Sequence, residues 1–381
     1  MKILLIGLEL FKERGDGLNR YVSDCNKYLP KMDARIDYMV SGTKEDSVEG
    51  KVRIRAFAKS DEPLLKRWYA AFKCYRKLIV EEQIDIVVSH FCLYSFPLIP
   101  FIKLPYVVHF HGPWTDESYF GKSLPVFAHV KRFIEKASYK KASALIVLSS
   151  SFRDILHERY DIALERIHVI PGGTDIQRFD IASTKAQARD KLGLPKDRPV
   201  IFCIRRLTER MGIEHLIAAM KDVHKHHPDA VLYIAGKGHL ENTLRQQIKA
   251  AGLSESVKLL GFVEDDLLPY YYRAATLSVV PTQGLEGFGL IIVESMAAGT
   301  PVMGTPVGGI PDILQPLSQN CLFKDTSSQS IAEGLGKALS DPMFLPDAEM
   351  CLQYTKDNFD WNIISQKLLS VYEAQRAAFG K

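Results

Sequence analysis

The chain has 381 residues, 46% of them hydrophobic and 25% charged. That is ample apolar mass for more than one core, and it excludes a disordered chain. A net charge of +4 and six scattered cysteines (25, 74, 92, 203, 321 and 351) give no ground for a nucleic-acid partner, a zinc cluster or a disulfide framework. No apolar run reaches eighteen residues, so nothing is expected to span a membrane. The opening MKILLIGLEL reads as a first buried strand rather than a leader, and the chain as cytoplasmic.

Short β-branched runs alternate with longer amphipathic segments along the chain. Residues 2–8 predict a strand and 19–28 the helix after it; 84–89, 106–110, 144–148 and 167–170 predict further strands. The pattern then restarts, with strands at 200–204, 230–235, 257–260, 277–280 and from 301, and helices at 213–224, 240–251 and 290–298. Near-continuous apolar strands separated by helices point to parallel sheets covered on both faces. The expected fold class is α/β: two Rossmann-like doubly wound domains facing a cleft, residues 1–180 and 181–358. A C-terminal helix, 359–381, is expected to pack back on the first domain. Ligands of such sheets sit beyond the carboxyl ends of the strands.

The richest stretch is 281–314, PTQGLEGFGLIIVESMAAGTPVMGTPVGGIPDIL. A glycine-rich loop runs straight into a helix whose first N–H groups are open to a diphosphate. Glu286 lies in that loop and Glu294 about two helical turns beyond it; each is either a ligand for sugar hydroxyls or a residue with only a local role. After the strand at 200–204 come Arg205-Arg206-Leu207-Thr208-Glu209-Arg210-Met211-Gly212. Cations there can neutralise a leaving diphosphate or simply face water. Between the first strand and helix lies Arg14-Gly15-Asp16-Gly17, which is not a dinucleotide fingerprint. At 107–114, VVHFHGPW, His109 and His111 share one side of a strand end. A metal pair there lacks a third ligand nearby in sequence.

E-G-F-G-L-x-x-x-E followed by A-x-G-x-P-V resembles the donor-binding signature of the GT-B family of retaining glycosyltransferases (family 4 of the glycosyltransferase classification), and the similarity runs along essentially the whole chain. The resemblance implies that Glu286 lies beside the donor sugar and Glu294 binds the nucleotide ribose. It implies that the amides of Phe288, Gly289 and Leu290 help hold the diphosphate and sugar, while Gly287 beside them permits close backbone approach to the donor. Arg206 matches the arginine of the family pattern G-R-L-x-x-x-K-G. That pattern's glycine is Arg205 here, and its lysine is Met211, so Arg210 is the substitute cation. Gly17 and Gly236 match glycines of donor loops. Phe262 and Val263 stand where the family contacts the base, although Phe262 can equally be a core residue. His111 fits the family's donor-sugar histidine, with His109 as second candidate on the acceptor side. Trp114, Asp116 and Glu117 follow in an expected acceptor loop. Catalysis is assigned to His111, Glu286 and Arg206.

The implied activity is retaining transfer of a hexose-type sugar from a nucleotide sugar, UDP-linked ahead of GDP-linked, to a saccharide, lipid-linked or small-molecule acceptor. No D-x-D motif occurs, so no cofactor or metal is expected. An epimerase, a sugar phosphorylase and a non-catalytic nucleotide-sugar binder are the rival readings. Two net-basic, aromatic stretches, 59–79 and 131–141, read either as solvated faces or as peripheral contacts with the anionic inner face of a membrane.

Overall fold

The computed structural model describes residues 1–12, 17–42, 46–114 and 125–379. The chain divides into two compact units, Met1–Gly172 with Trp361–Lys381, and Gly173–Asp360. The division thus falls at 172/173 rather than 180/181. The physical reason is Ile176 and Phe179, which are buried with Val200, Phe202 and Tyr272 in a core of the second unit.

The first unit holds an eight-stranded sheet in the order β3-β4-β2-β1-β5-β6-β7-β8. Its strands are β1 (Lys2–Ile6), β2 (Arg35–Ser41), β3 (Ser47–Glu49), β4 (Val52–Ala58), β5 (Ile86–Ser89), β6 (Tyr106–Phe110), β7 (Ala144–Val147) and β8 (Ile167–Val169). All neighbours are parallel except the β3–β4 pair. Along β1, Ile3 and Leu5 enter one core and Leu4 and Ile6 the other. Both faces are covered, which is why the strand reads as an unbroken apolar run.

The strands β2 and β4 lack that signature. Asp37 is fully buried in β2, within 3.5 Å of Lys2 and Arg53 and 3.3 Å of Arg55. The charges that hide the strand in sequence neutralise one another across the sheet, as a buried carboxylate requires. The helix Trp361–Phe379 completes this unit: Trp361, Ile364, Leu368 and Tyr372 are 0% exposed against Ile3, Leu5 and Val22.

The second unit carries a five-stranded parallel sheet, β11-β10-β9-β12-β13. Its strands are β9 (Val200–Ile204), β10 (Val231–Ala235), β11 (Val257–Gly261), β12 (Leu277–Val280) and β13 (Val302–Gly304). Residues of β9 alternate between two buried clusters, Ile201 and Cys203 on one face, Val200 and Phe202 on the other. The six cysteines are free thiols, five of them buried. Among the described residues no helix is long and apolar enough to cross a membrane.

Candidate active site

Strand order reverses at one place in each sheet. In the second unit the chain winds outward from β9 to β10 and β11, then returns to β12 on the other side of β9. The loops that leave β9 and β12 flank that switch point, the place where sheets of this kind bind ligands. From β9 comes Arg205; from β12 come Thr282 and Glu286. The Arg205 Nη2 donates to Glu286 Oε2 and to Thr282 Oγ1. The side chains of Arg205 and Glu286 are 9% and 12% exposed, so this pair is mostly withdrawn from water.

The backbone around Glu286 is fixed as well. Its carbonyl accepts from Gly309 N–H at 2.9 Å. The Arg210 Nη1 donates to the carbonyl of Leu285 at 2.5 Å, and Gln283 N–H donates to the carbonyl of Arg210 at 2.8 Å. Leu285 sits at φ 49°, a left-handed conformation that a branched residue adopts only when its surroundings impose it.

Gly289, at φ 93°, caps the helix Leu290–Ala297 without a side-chain cap. Of its first N–H groups Ile292 N–H donates to the Gly289 carbonyl at 2.8 Å, and those before it lie at the loop end, where an anion is favoured. Phe288 is buried against Phe359, so only its backbone is offered to a ligand. Glu294 is 8% exposed and accepts from Tyr272 O–H at 3.0 Å. It is not a solvated helix residue.

Arg206 is exposed and has no ion pair among the described residues. Met211 is buried in the core with Leu207 and Leu216 and brings no charge. Gly236, at φ 130°, lies so close to the Arg205 carbonyl that a Cβ would be 1.8 Å from it. Phe262 is 61% exposed, with Lys237 Nζ 5.4 Å from its ring centroid and Val263 half-buried beside it. The core alternative for Phe262 is thereby removed, and a free aromatic face remains for a base.

In the first unit the reversal lies between β1 and β5. His90 follows β5, and His109 and His111 end β6. Sequence spacing pairs only His109 with His111; the parallel pairing of β5 with β6 supplies His90 as a third imidazole. His90 Nδ1 and His111 Nε2 share a hydrogen bond of 3.1 Å. His109, 3% exposed, has Nε2 2.7 Å from Tyr372 Oη and Nδ1 3.5 Å from Tyr21 Oη. Its nitrogens are thus engaged within the fold. Burial holds His111 down at about 4, and burial plus its histidine neighbours pushes His90 and His109 well below the usual range. All three are neutral at neutral pH. Among the described residues they form the cluster able to hold a metal, with one nitrogen from each within 4.8 Å of the others. In their present geometry His111 bonds His90 and His109 bonds two tyrosines, while the buried His90 Nε2 has no hydrogen-bond partner.

Gly17 opens the helix Gly17–Tyr28 and is exposed. Trp114 donates its backbone N–H to Glu135 Oε1 at 2.8 Å and has Lys131 Nζ 4.8 Å from its ring centroid, so one face of the indole is already occupied. Asp116 and Glu117 lie outside the described residues. The residues that sequence reasoning missed are Arg205, Thr282, Tyr272 and His90. Arg205 alone had a signal, since it stands where the family pattern has glycine.

Residues 184–358 match the family Glycosyl transferases group 1, and residues 15–178 match Glycosyltransferase Family 4. An uncharacterized glycosyltransferase of Methanocaldococcus jannaschii is 29% identical over 73% of this chain and 72% of its own length. The GDP-mannose-dependent monoacylated alpha-(1-6)-phosphatidylinositol monomannoside mannosyltransferase of Corynebacterium glutamicum is 31% identical, over 54% of this chain and 56% of its own length. In structure, sucrose-phosphate synthase of Thermosynechococcus elongatus aligns with TM-score 0.83 at 21% identity, over 99% of this chain and 100% of that one. Anabaena HepE in complex with UDP-glucose aligns with TM-score 0.77 at 21% identity, over 98% and 100%. Two Rossmann-like units, a glutamate loop at the second unit's switch point and matches to both family halves make this chain a member of the GT-B glycosyltransferases of family 4.

Proposed function

We propose that the chain transfers a hexose-type sugar from a nucleoside diphosphate sugar to a hydroxyl group, with retention of anomeric configuration. The observation that carries this reading is Glu286, held by Arg205 through its side chain and by Gly309 through its carbonyl, at the mouth of a helix with open N–H groups. A carboxylate so fixed can orient sugar hydroxyls without reorganising during the reaction.

In this reading Phe262 stacks on the base and Glu294, oriented by Tyr272, accepts from the ribose hydroxyls. Arg206 and the amides of Gly287 to Leu290 hold the diphosphate. As the bond between the anomeric carbon and the phosphate oxygen breaks, negative charge grows on the phosphate, where these donors act. The acceptor hydroxyl attacks from the same face and its proton passes to the departing phosphate oxygen. His111, neutral and hydrogen-bonded to His90, is the second side chain to which a catalytic role is given in this proposal. Neither a metal nor a cofactor takes part in these steps.

For the acceptor, a saccharide, lipid-linked or small-molecule hydroxyl is proposed. Leu65, Tyr69 and Val80 are exposed on the helix Leu64–Glu81 among Lys66, Lys73, Arg76 and Lys77, and Phe133 is exposed on the helix Pro125–Lys141 beside Arg132 and Lys136. Apolar side chains ringed by cations suit the surface of an anionic bilayer, so peripheral attachment at the cytoplasmic face is part of the proposal. Co-sedimentation with phosphatidylglycerol vesicles but not with phosphatidylcholine vesicles is the expected result.

The activity is tested by nucleotide release from UDP-, GDP- and ADP-sugars with a broad acceptor set, and by proton NMR of the anomeric centre in the product. Release from one donor with retained configuration supports the proposal. No release from any donor overturns it, and an inverted product overturns the mechanism.

A further inference from the structure

The loop leaving β9 carries three arginines, and each has a different situation. Arg206 is exposed and unpaired among the described residues. Arg210 is engaged with the Leu285 carbonyl. Arg205 is the one largely withdrawn from water, its side chain 9% exposed, and it stands where the family pattern has glycine. Position 211, where that pattern has lysine, is a methionine 5% exposed in the apolar core. The chain has therefore lost one cation from the loop and gained another six residues earlier.

The state of Arg205 says what the gained cation does. Its Nη2 is saturated by Glu286 and Thr282. Its Nε is buried and has no hydrogen-bond partner. A guanidinium presents parallel N–H groups suited to two acceptors side by side, and here one of the two has none. A buried donor left without an acceptor is costly, and a charged one more so. Close packing of Gly236 against the Arg205 carbonyl and of Gly212 against the Pro281 carbonyl fixes the backbone on either side of the loop, so the loop does not relax to hide this group.

We propose that Arg205 is a further donor-binding residue, whose Nε–H donates to an oxygen of the sugar-side phosphate of the nucleoside diphosphate while Nη2 keeps Glu286 in place. It restores to the site the charge that position 211 lacks, and it couples phosphate binding directly to the orientation of the sugar-binding carboxylate. This rests on the nucleotide-sugar reading above.

The test is calorimetric binding of UDP, GDP and ADP, each against its monophosphate, to the full chain and to Arg205→Met and Arg205→Lys. The wild type is expected to favour one diphosphate over its monophosphate by at least about tenfold, the worth of a charge-assisted hydrogen bond. In Arg205→Met that preference should collapse to within about threefold while monophosphate affinity stays. Arg205→Lys should recover only part, because it keeps the charge and loses the fork. Should removal of the charge unfold the protein, the double variant Arg205→Met/Glu286→Gln, which leaves no unpaired charge, gives the same comparison. An undiminished diphosphate preference in either neutral variant overturns the proposal alone. Failure of the wild type to bind any of the three diphosphates overturns the nucleotide-sugar reading and the proposal with it.

Discussion

A Cβ added to Gly308 would lie 2.0 Å from the carbonyl oxygen of Glu286, and Gly308 itself sits at φ 59°. The glycine pair after β13 is thus the seat of the Glu286 backbone, with Gly309 donating the hydrogen bond that Gly308 makes room for. The Gly308→Ala substitution should push the glutamate loop off its seat. Nucleotide release is expected to fall by about a hundredfold, since misplacement of a positioning group by 1 Å costs that much. Steady-state kinetics alongside a circular dichroism spectrum checks it; unchanged turnover would mean that the loop does not need this seat.

Phe262 is an aromatic ring left in water beside Lys237. If it stacks on the base, Phe262→Ala should weaken nucleotide binding by about tenfold, in the range for one base–aromatic stack. Stability should change little, because the ring is not part of the core. Fluorescence titration with the nucleoside diphosphate, plus a melting curve, separates the two effects. A drop in melting temperature with intact affinity would return Phe262 to a packing role.

The three histidines predict a specific acid sensitivity. His111 ordinarily titrates near 6.5 and is held at about 4 in the fold, with His90 and His109 lowered in the same direction by burial. The unfolded chain therefore takes up protons that the folded chain refuses. Stability should be constant above about pH 6.5 and fall as the pH drops from there toward 4. Urea midpoints at pH 7.5 and pH 5 measure this. A chain equally stable at both values would show that the cluster is not dry.

Trp361 is fully buried, 5.2 Å from the ring of Tyr21 and stacked at 6.0 Å on Tyr28. Its replacement by alanine should cost about 3–5 kcal/mol, the usual range for a buried aromatic. Chemical denaturation followed by tyrosine fluorescence would register the loss. A cost below about 1 kcal/mol would mean that the C-terminal helix is only loosely seated.

Local pattern alone determined much of this protein. Strands buried on both faces, such as 3–6 and 200–203, show as unbroken apolar runs, because helices cover each side. The glycines at 287 and 289 mark a loop that runs into a helix, and the glutamates on either side of that helix start follow from spacing. The strands β2 and β4 were not legible, because Arg35, Asp37, Arg53 and Arg55 interrupt the apolar pattern, and Asp37, Arg53 and Arg55 find their partners only across the sheet.

What only the tertiary structure decided is which distant groups meet. Arg205 reaches Glu286 across 81 residues, and Tyr372 reaches His109 across 263. His90 joins His111 because β5 and β6 are parallel neighbours, with Ser89 at the end of β5 paired to Val108 of β6. A residue's own neighbours in sequence fix its helix or strand and its need for a partner. Strand order and the crossover connections choose that partner, and no stretch of sequence shorter than the whole sheet contains that choice.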